Sequence, residues 1–404
     1  MKLHIGGSPC THWSIAQTKN RETEPSGIGW ELFENYIIGL EKYQPDYFLY
    51  ENNKSMAPAI REQITHELGV KPILINSALV SAQNRQRLYW TNIPGVTQPE
   101  DKGILLRDIL ESGAVSDKEK AYTLRASAFT KQGASNIIRH ITSNAQFGYQ
   151  GCFEPVRIGT IESGERSALS DSQSKRVYSA DGKSVTLCGG GGGAGGKTGL
   201  YAVPICAAQR GRYTGENGNV EQHIEPRYDQ RSNALTTVQK DNMIVENWNG
   251  KAYPVYEVRN GLITIKDKQY PIKLPDGYYI IRKLTVTECK RLQTIPDDYI
   301  FPVSNSQAYK MLGNGWTVDV IAHILSFAPG IRTSTVDVFS MYDGMSCGHI
   351  ALDKLGAYVE HYYASEIDKY AIQTALANYP NTVQIGDAFQ VRNAGWNTFH
   401  GGNS

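Results

Sequence analysis

The stretch VDVFSMYDGMSCGHIALDKLGAYVEHYYASEI, residues 336–367, decides the fold of this chain. It opens an alternating series, with strands over Val336–Ser340, Tyr358–Ala364 and Val383–Ile385 and helices over Gly348–Leu355 and Lys369–Tyr379. Strands that alternate with helices predict a largely parallel sheet with helices on its faces. The series is typical of the nucleotide-binding half of a doubly wound α/β sheet.

The other end of the chain continues the alternation. We predict strands over Lys2–Ile5, Asp46–Tyr50, Pro72–Val80 and Arg87–Thr91, and helices over Trp30–Tyr43 and Ser55–Leu68, with Ser55 as N-cap. Two helical patterns precede the opening stretch, over Thr285–Gln293 and Ala308–Phe327. Thr285 with Glu288 three residues on is a capping-box pattern. Because the three C-terminal strands have few local partners, we expect Val336–Ser340 to lie beside Lys2–Ile5.

The middle of the chain has a different character. Between about residues 94 and 280 Gly, Ser, Thr, Asn and Gln dominate, and Lys120–Leu124 weakly resembles Lys183–Leu187. We predict a smaller β-rich domain over 94–280, inserted between catalytic segments 1–93 and 281–404. Gly189–Gly196 is predicted to be a loop, because glycine is unfavourable inside helices and strands.

Composition sets broad limits on the protein. The chain has 404 residues, of which 40% are hydrophobic and 20% charged, with a formal net charge of +1. No apolar run is long enough to span a bilayer and no signal peptide is visible, so we expect a cytoplasmic protein with no membrane association. None of the six cysteines forms a C-x-x-C pair. We therefore expect free thiols and no metal site.

Three strand ends in the C-terminal series carry groups suited to an adenosine-containing cofactor. The turn after Val336–Ser340 holds Asp343 and Gly344, and a glycine there lets a ligand approach backbone N–H groups. The next strand ends at Glu366, about 20 residues on, where a carboxylate can hold ribose hydroxyls. The third ends at Asp387, which can accept from an adenine amino group. The alternative is a purely structural unit with surface carboxylates.

Two strand ends in the N-terminal segment carry reactive groups. Cys10 follows the first strand, and a cysteine thiolate is a strong nucleophile when its pKa is lowered. Glu51 follows the second strand and can serve as a proton donor in the same cleft. Gln83, Arg85 and Arg87 alternate and so share one strand face. A Cys10–His12 hydrolase is an alternative, but no acid partner or oxyanion motif accompanies it.

These motifs together resemble the DNA (cytosine-5)-methyltransferase family. The matching segments are Gly6–Cys10, Glu51–Asn53, Gln83–Arg87 as Q-x-R-x-R, Arg282–Pro296, Tyr309–Val318, Tyr342–Gly348, Glu366–Ile367 and Gly386–Ala388. They spare only the variable middle segment. The resemblance implies an S-adenosylmethionine-dependent methyltransferase fold, a doubly wound mixed sheet, with a β-rich target-recognition domain inserted.

The resemblance also implies a reaction. The enzyme would flip cytosine out of the duplex and methylate its carbon 5 from S-adenosylmethionine, leaving S-adenosylhomocysteine. Cys10 would attack carbon 6, Glu51 would protonate or hydrogen-bond ring nitrogen 3, and Arg85 and Arg87 would stabilise the site. Double-stranded DNA is the implied partner, with a cognate restriction endonuclease in the same system as a further possibility. We expect a bacterial or phage-encoded monomer.

The resemblance assigns cofactor contacts residue by residue. Those expected at the cofactor are Tyr342, Asp343, Gly344, Met345, Cys347, Glu366, Ile367, Asp387 and Ala388, with Asn314 and Trp316 closing the pocket. Expected nucleic-acid contacts are Ser14, Gln83, Arg125, Lys197, Gln239 and Lys240. The segment Thr11–Gly29 would form a mobile lid over the flipped base.

This chain departs from the family in the order of its motifs. The cofactor motifs normally come first but are last in this chain, which indicates a circularly permuted member. Thr11, Asn53 and Tyr342 also replace residues common in the family, and none of these changes removes a reacting group. An RNA cytosine-5 methyltransferase and a non-enzymatic DNA-binding relative remain as alternatives.

Overall fold

The computed structural model describes residues 1–9, 12–14, 21–111, 121–122, 151–155, 159–160, 176–179, 200–202, 207–214, 219–226, 255–265, 268–272 and 274–397. Between residues 121 and 255 the description concerns the backbone. Several sequence predictions fall outside these ranges, namely those for Cys10, Arg125, Lys197, Gln239, Lys240, the Gly189–Gly196 loop and the weak repeat over 183–187.

The described secondary structure consists of strands, α-helices and short 3₁₀ turns. The strands are β1 (Lys2–Gly6), β2 (Tyr47–Asn53), β3 (Ile73–Asn76), β4 (Gln83–Asn84), β5 (Gln86–Thr91), β6 (Ala121–Tyr122), β7 (Gly151–Pro155), β8 (Gly159–Thr160), β9 (Arg176–Ser179), β10 (Leu200–Ala202), β11 (Ala207–Thr214), β12 (Asn219–Pro226), β13 (Val255–Arg259), β14 (Leu262–Ile265), β15 (Lys268–Pro271), β16 (Gly277–Lys283), β17 (Thr335–Met341), β18 (Tyr358–Ser365) and β19 (Val383–Gln384). The helices are α1 (Gly27–Tyr43), α2 (Pro58–Leu68), α3 (Val286–Leu292), α4 (Asn305–Asn314), α5 (Val318–Leu325), α6 (Cys347–Leu355) and α7 (Lys369–Asn378). The 3₁₀ turns are Ser77–Leu79, Leu106–Ile109, Ala388–Arg392 and Ala394–Asn397.

The chain divides into two units. The first comprises Met1–Ile109, Lys120–Thr130 and Thr285–Ser404, and the second comprises Leu110–Glu119 and Lys131–Leu284. Among the residues that the structure describes, no helix combines the length and apolar character needed to cross a bilayer.

A seven-stranded sheet in the order β19-β18-β17-β1-β2-β5-β3 forms the centre of the first unit. β1 runs parallel to β17 on one side, pairing Leu3 with Val338, and parallel to β2 on the other, pairing Leu3 with Tyr47. The predicted neighbourhood of the first strand and Val336–Ser340 is therefore confirmed. β5 runs antiparallel to both β2 and β3, so the sheet is mixed.

The central strands β1 and β17 bury side chains on both faces of the sheet. Leu3, Ile5, Val336, Val338 and Phe339 are each fully buried. Strands buried on both faces are typically near-continuous apolar runs, which is why these two were recognisable in the sequence. Their carboxyl ends lie at the same edge of the sheet, where a site can form.

Helix boundaries follow local capping. Thr285 caps α3, accepting from the Glu288 backbone while the Glu288 carboxylate accepts from Thr285, so the predicted capping box is confirmed. The predicted cap at Ser55 is wrong. α2 begins at Pro58 with Ala57 as its N-cap, while the Ser55 hydroxyl donates instead to Asn53 Oδ1 at 2.9 Å.

Two other predicted elements are divided in the structure. The single helix predicted over Ala308–Phe327 is two helices, α4 and α5, separated at Gly315–Thr317. The strand predicted over Pro72–Val80 ends at Asn76. The Asn76 side chain accepts from the backbone N–H of Ala78 and Arg85, both at 3.1 Å, and so competes with continuation of the strand.

The second unit contains small sheets. One has the order β15-β14-β13-β16-β7, another β10-β9-β8, and β11 pairs antiparallel with β12. The five-stranded sheet packs its own apolar cluster, formed by Val258, Ile263, Ile272, Leu274 and Tyr279.

Candidate active site

A cavity of about 410 Å³ lies at the carboxyl-end edge of the seven-stranded sheet, within the first unit. Residues at the carboxyl ends of β1, β2, β17 and β18, or just after them, line it, together with the turn between α4 and α5 and the start of the Ala388–Arg392 turn. The structure thus brings together all of the described residues that the sequence assigned to catalysis and cofactor binding.

Glu51 is held at both carboxylate oxygens. Its Oε1 lies 2.9 Å from Nε of Arg87, and its Oε2 accepts a 3.0 Å hydrogen bond from the Trp316 indole N–H. The Glu51 residue is only 8% exposed, so this carboxylate has few alternative partners in water. A buried charge with a cationic partner and a second donor is well compensated and fixed in direction.

The neighbouring Gly7 permits this arrangement. A Cβ added at Gly7 would lie 2.7 Å from the carbonyl oxygen of Glu51 and 3.1 Å from its Oε2. The loop after β1 can therefore approach Glu51 only with glycine at this position.

Arg85 holds the turn between α4 and α5. Its buried guanidinium donates to the carbonyl oxygens of Gly313 at 3.3 Å and Gly315 at 2.9 Å. These contacts fix the turn that carries Trp316. Arg85 was expected to act beside Arg87 on the reacting base, but it donates to this turn, whereas Arg87 contacts Glu51.

Gln83 was expected to contact nucleic acid, and the structure places it elsewhere. It is fully buried, and its amide donates to the Leu292 carbonyl at 3.1 Å and to the Gln293 side chain at 3.3 Å. A group without accessible surface cannot meet DNA in this conformation. Its alternation with Arg85 correctly indicated that the two side chains share one side of the chain, but both side chains are buried in the protein interior.

Gln293 is a residue that the sequence reasoning missed. Its Nε2 donates to the carbonyls of Leu312 at 2.6 Å and Gly315 at 3.2 Å, and its Oε1 accepts from the Thr317 hydroxyl at 2.9 Å. Gln293 therefore joins the end of α3 to the turn between α4 and α5. Its place in the Arg282–Pro296 motif was the available signal, but a polar residue at a helix end is unremarkable in a sequence.

The nucleophile predicted at Cys10 lies outside the described residues. The preceding Pro9 is exposed and lines the cavity. Two other cysteines, Cys289 and Cys347, are buried thiols. Burial raises the pKa of the Cys347 thiol to about 12, so this cavity-lining group stays protonated at neutral pH.

The turn after β17 is strained and strongly braced. Tyr342 and Ser346 both have left-handed backbones, with φ of 60° and 58°. Between them the buried Asp343 carboxylate accepts hydroxyl hydrogen bonds from Ser340 and Tyr362, both at 2.7 Å, and from Ser346. Burial outweighs these donors and raises the pKa of Asp343 to about 6. Asp343 therefore organises the turn as well as lining the cavity.

Glu366 ties the ends of β17 and β18 together. One carboxylate oxygen accepts from Gly344 N at 2.8 Å, and the other accepts from the backbone N–H of Ile367 and Asp368, both at 2.8 Å. The Ile367 side chain is 73% exposed although it is large and apolar, and it lines the cavity. An exposed apolar side chain beside a fixed carboxylate suits a flat aromatic ligand with an attached polar group.

The remaining cofactor candidates surround the same cavity. The Asp387 carboxylate is exposed and accepts from Phe389 N at 3.0 Å, while Ala388 is buried. Met345 lies at the turn, where its carbonyl accepts from the Tyr299 hydroxyl at 2.5 Å. Asn314 is exposed at the end of α4. One further pair was not foreseen, since Lys310 Nζ lies 2.7 Å from Asp368 Oδ2 and both residues line the cavity.

Within the predicted lid, Thr11–Gly29, hydrogen bonds join the residues around Trp13 to Glu22. Trp13 is fully buried and donates to Glu22 Oε2 at 3.0 Å, and Glu22 N donates to the His12 carbonyl at 2.9 Å. The segment from Gly27 onward belongs to α1, so the lid as predicted is too long. Ser14, an expected nucleic-acid contact, is half-buried next to Trp13, and residues 15–20 lie outside the described part.

A separate cluster at the opposite end of the strands contains Asp337, Glu360 and His361, whose ligand-capable atoms lie within 4.8 Å of one another. His361 Nδ1 is already 2.8 Å from Asp337 Oδ1. Carboxylates and imidazoles of this kind are common on protein surfaces, and nothing else in the described residues marks the cluster as a metal centre.

Comparisons with known proteins show what this chain is similar to. The family model of C-5 cytosine-specific DNA methylases matches residues 1–327. The orphan methyltransferase M.SPRI of Bacillus phage SPR is 26% identical over 381 residues, covering 80% of this chain and 81% of the phage protein. The type II methyltransferase M.FnuDI of Fusobacterium nucleatum is 23% identical over 335 residues, covering 80% and 74%. A solved methyltransferase structure from Entamoeba histolytica aligns over 80% of this chain and 76% of its own, with 12% identity and a TM-score of 0.34.

Proposed function

Since the chain belongs to the C-5 cytosine-specific DNA methylase family, we propose that it transfers a methyl group from S-adenosylmethionine to carbon 5 of cytosine in a specific duplex DNA sequence. The observation that carries the proposal is Glu51, a buried carboxylate held by Arg87 and Trp316 in a cavity that Pro9, the residue before Cys10, also lines. An acid fixed beside the approach to a cysteine is the pair that this chemistry needs.

The chemistry proceeds through a covalent bond to the base. Cytosine is flipped out of the duplex because its reacting carbons are otherwise inaccessible. The Cys10 thiolate adds to carbon 6, while Glu51, in its protonated form, donates a proton or a hydrogen bond to ring nitrogen 3 and so neutralises the charge that develops in the ring. Carbon 5 would then take the methyl group that S-adenosylmethionine supplies, leaving S-adenosylhomocysteine. Loss of the proton on carbon 5, release of Cys10 as the thiolate and return of the nitrogen 3 proton to Glu51 then restore the aromatic ring.

Arg87 and Trp316 support this step by position. They fix both oxygens of Glu51, so the carboxyl group spends little time in unproductive rotamers. Donors arranged before the reaction need no reorganisation as charge develops. Arg85, through the carbonyls of Gly313 and Gly315, keeps Trp316 in place.

The described residues fit S-adenosylmethionine, which when bound supplies the electrophilic methyl group. Ile367 offers an exposed apolar surface for adenine, and Asp387 with the Ala388 backbone can bind its polar edge. Glu366 would bind the ribose hydroxyls. The turn from Tyr342 through Cys347, braced by Asp343, would line the methionine part.

Several finer features belong to the same proposal. The middle region, 94–280, would read the target sequence, since base edges are read by a few side chains on recognition elements. Double-stranded DNA would be the partner, and type II relatives such as M.FnuDI make a cognate restriction endonuclease part of the proposal. We place the protein in the cytoplasm of a bacterium and regard it as a monomer.

We also propose that the motif order is circularly permuted. The family model matches residues 1–327 and does not indicate a permutation. The support comes from the sheet, where β17, which precedes the cofactor turn, lies beside β1, which precedes Cys10. Strands that carry cofactor motifs and strands that carry catalytic motifs thus adjoin, although they lie at opposite ends of the chain.

The direct test is incubation with S-adenosylmethionine labelled in its methyl group and with either duplex DNA or RNA. Label transferred to carbon 5 of cytosine in DNA is the expected result. Transfer to RNA alone would identify an RNA methyltransferase, and binding without transfer would identify a non-enzymatic relative. Bisulfite sequencing of DNA from cells that express the protein would then give the recognition sequence.

A further inference from the structure

The loop after β1 is fastened to β2 by buried polar contacts. Ser8 Oγ and the Tyr50 hydroxyl lie 2.7 Å apart. Asn52 Nδ2 donates to the Ser8 carbonyl at 3.2 Å and to the Tyr50 hydroxyl at 3.1 Å. The exposed fractions of Ser8, Tyr50 and Asn52 are 4%, 0% and 1%. Because buried polar groups have no water to replace a lost partner, these three depend on one another.

The Tyr50 ring is fixed by its neighbours. The rings of Phe33, Tyr36 and Trp90 surround it, with centroids 5.2, 4.8 and 5.8 Å away. Burial also raises the pKa of Tyr50 well above its ordinary value, so its hydroxyl stays protonated at physiological pH. The hydroxyl is therefore a stationary hydrogen-bonding group and takes no part in proton transfer.

Strand β2 thus positions both Glu51 and the loop that leads to Cys10. Tyr50 and Glu51 are consecutive in β2, so their side chains point to opposite sides of the strand. Glu51 faces the cavity, while Tyr50 reaches the loop that leads to Cys10. Ser8 precedes Pro9, whose ring fixes φ and restricts Ser8 to extended conformations. Holding Ser8 therefore leaves little freedom in the two residues before Cys10.

Resting on the proposed function, in which Cys10 is the nucleophile, we propose that Tyr50 is a positioning residue for the covalent step. Its hydroxyl, acting through Ser8 and Asn52, holds the approach to Cys10 in register with Glu51. A nucleophile displaced by a fraction of an ångström loses rate without losing substrate binding, because binding and attack depend on different atoms.

The test is Tyr50→Phe, which removes the hydroxyl and keeps the ring. We expect the single-turnover methylation rate and the rate of covalent trapping by 5-fluorocytosine DNA to fall together by about tenfold, the worth of roughly one buried hydrogen bond. Dissociation constants for S-adenosylmethionine and DNA should stay within about twofold of wild type, as binding does not use the hydroxyl. Ser8→Thr, which keeps a hydroxyl at position 8, should retain most of the trapping rate.

The matched control is Tyr36→Phe. Tyr36 is also a fully buried tyrosine in the same aromatic cluster, but its hydroxyl donates to the His4 carbonyl at 3.4 Å. This variant should trap at the wild-type rate. The double variant Tyr50→Phe/Ser8→Ala should trap no more slowly than the slower single variant, because both changes remove the same contact.

The outcomes separate this inference from the proposed function. Wild-type protein that forms no adduct and transfers no methyl group would refute the proposed function. Wild-type protein that traps normally, with Tyr50→Phe trapping as fast as Tyr36→Phe, would overturn the role of Tyr50 alone. Additive losses in the double variant would also overturn it, because Tyr50 and Ser8 would then act independently.

Discussion

The indole N–H of Trp316 donates a 3.0 Å hydrogen bond to Oε2 of Glu51, across 265 residues of sequence. Trp316 lies in the break between α4 and α5, and Glu51 is the fifth residue of β2. The contact joins the two ends of the first unit at the point where the proposed acid acts.

Trp316→Phe should slow the reaction without preventing folding. The variant keeps an aromatic ring but leaves Oε2 of Glu51 without this donor, and we expect turnover to fall by about tenfold, as for one hydrogen bond to a charged group. Single-turnover methylation measures the effect. Trp30→Phe, on α1, is the matched control and should react at the wild-type rate. Equal rates for the two variants would remove Trp316 from the mechanism.

Glu51→Gln should lose turnover by ~10²–10⁴-fold, as expected for an acid–base group, and keep most cofactor binding.

Arg87→Met should destabilise the fold more than the double variant Arg87→Met/Glu51→Gln does. The reason is that Arg87→Met alone leaves a buried carboxylate without its cation. Chemical denaturation of wild type, Arg87→Met and the double variant gives the comparison. A double variant less stable than Arg87→Met would show that Glu51 does not depend on Arg87.

Cys10→Ser should abolish the covalent adduct with duplex DNA that carries 5-fluorocytosine in the target site. Fluorine cannot leave as the proton does, so the enzyme stays bound to the base through Cys10. Cys289→Ala is the control, because Cys289 is a buried thiol outside the cavity lining. Gel retardation after denaturation detects the adduct. Equal trapping by Cys10→Ser and wild type would mean that another group attacks the base.

Lowering the pH should stabilise the folded wild-type protein relative to the Asp343→Asn variant. Burial raises the pKa of Asp343 from 3.8 to about 6, so its stabilising contribution is present below about pH 4 and is lost as pH rises through 6. Between pH 7 and pH 5 wild type should gain about 1 kcal/mol of unfolding free energy relative to the variant. Denaturant unfolding at both pH values checks this. If the difference in unfolding free energy between wild type and Asp343→Asn is the same at both pH values, or changes in the opposite direction, the pKa shift is contradicted.

Joining Ser404 to Met1 and opening the chain between Gly330 and Thr333 should preserve folding and methylation. The cut lies in a turn just before β17 in which Gly330, Arg332 and Thr333 are exposed and Ile331 is buried, and β17 keeps its place beside β1 because that pairing does not depend on chain order. A rejoined protein that folds but does not bind S-adenosylmethionine would show that the site requires the break in its present position.

The sequence predicted those parts of the fold that are set by local pattern. Val336–Ser340 and Lys2–Ile5 were recognisable because buried strands are continuous apolar runs, and Thr285 was recognisable because a capping box involves residues three apart. Glu51, Asp343 and Glu366 were recognisable as polar groups at strand ends, and the structure places them around one cavity.

Features that depend on distant side chains could not be predicted in this way. α4 and α5 read as one helix because the partners that hold the intervening turn, Arg85 and Gln293, lie far away in sequence. Gln83 looked like a surface contact because its acceptors, at Leu292 and Gln293, are more than 200 residues distant. The anchoring of Ser8 by Tyr50 is invisible for the same reason.

The position of β1 also affects how this protein is made. The amino group of Met1 donates to the Thr335 carbonyl, and 334 residues separate the two. β1 is a central strand, yet one of its two neighbours leaves the ribosome only after those residues have been translated, roughly 15 to 70 seconds later at ~5–20 residues per second. During synthesis the apolar edge of β1 must wait unpaired, and this interval is when the nascent chain most needs protection from aggregation.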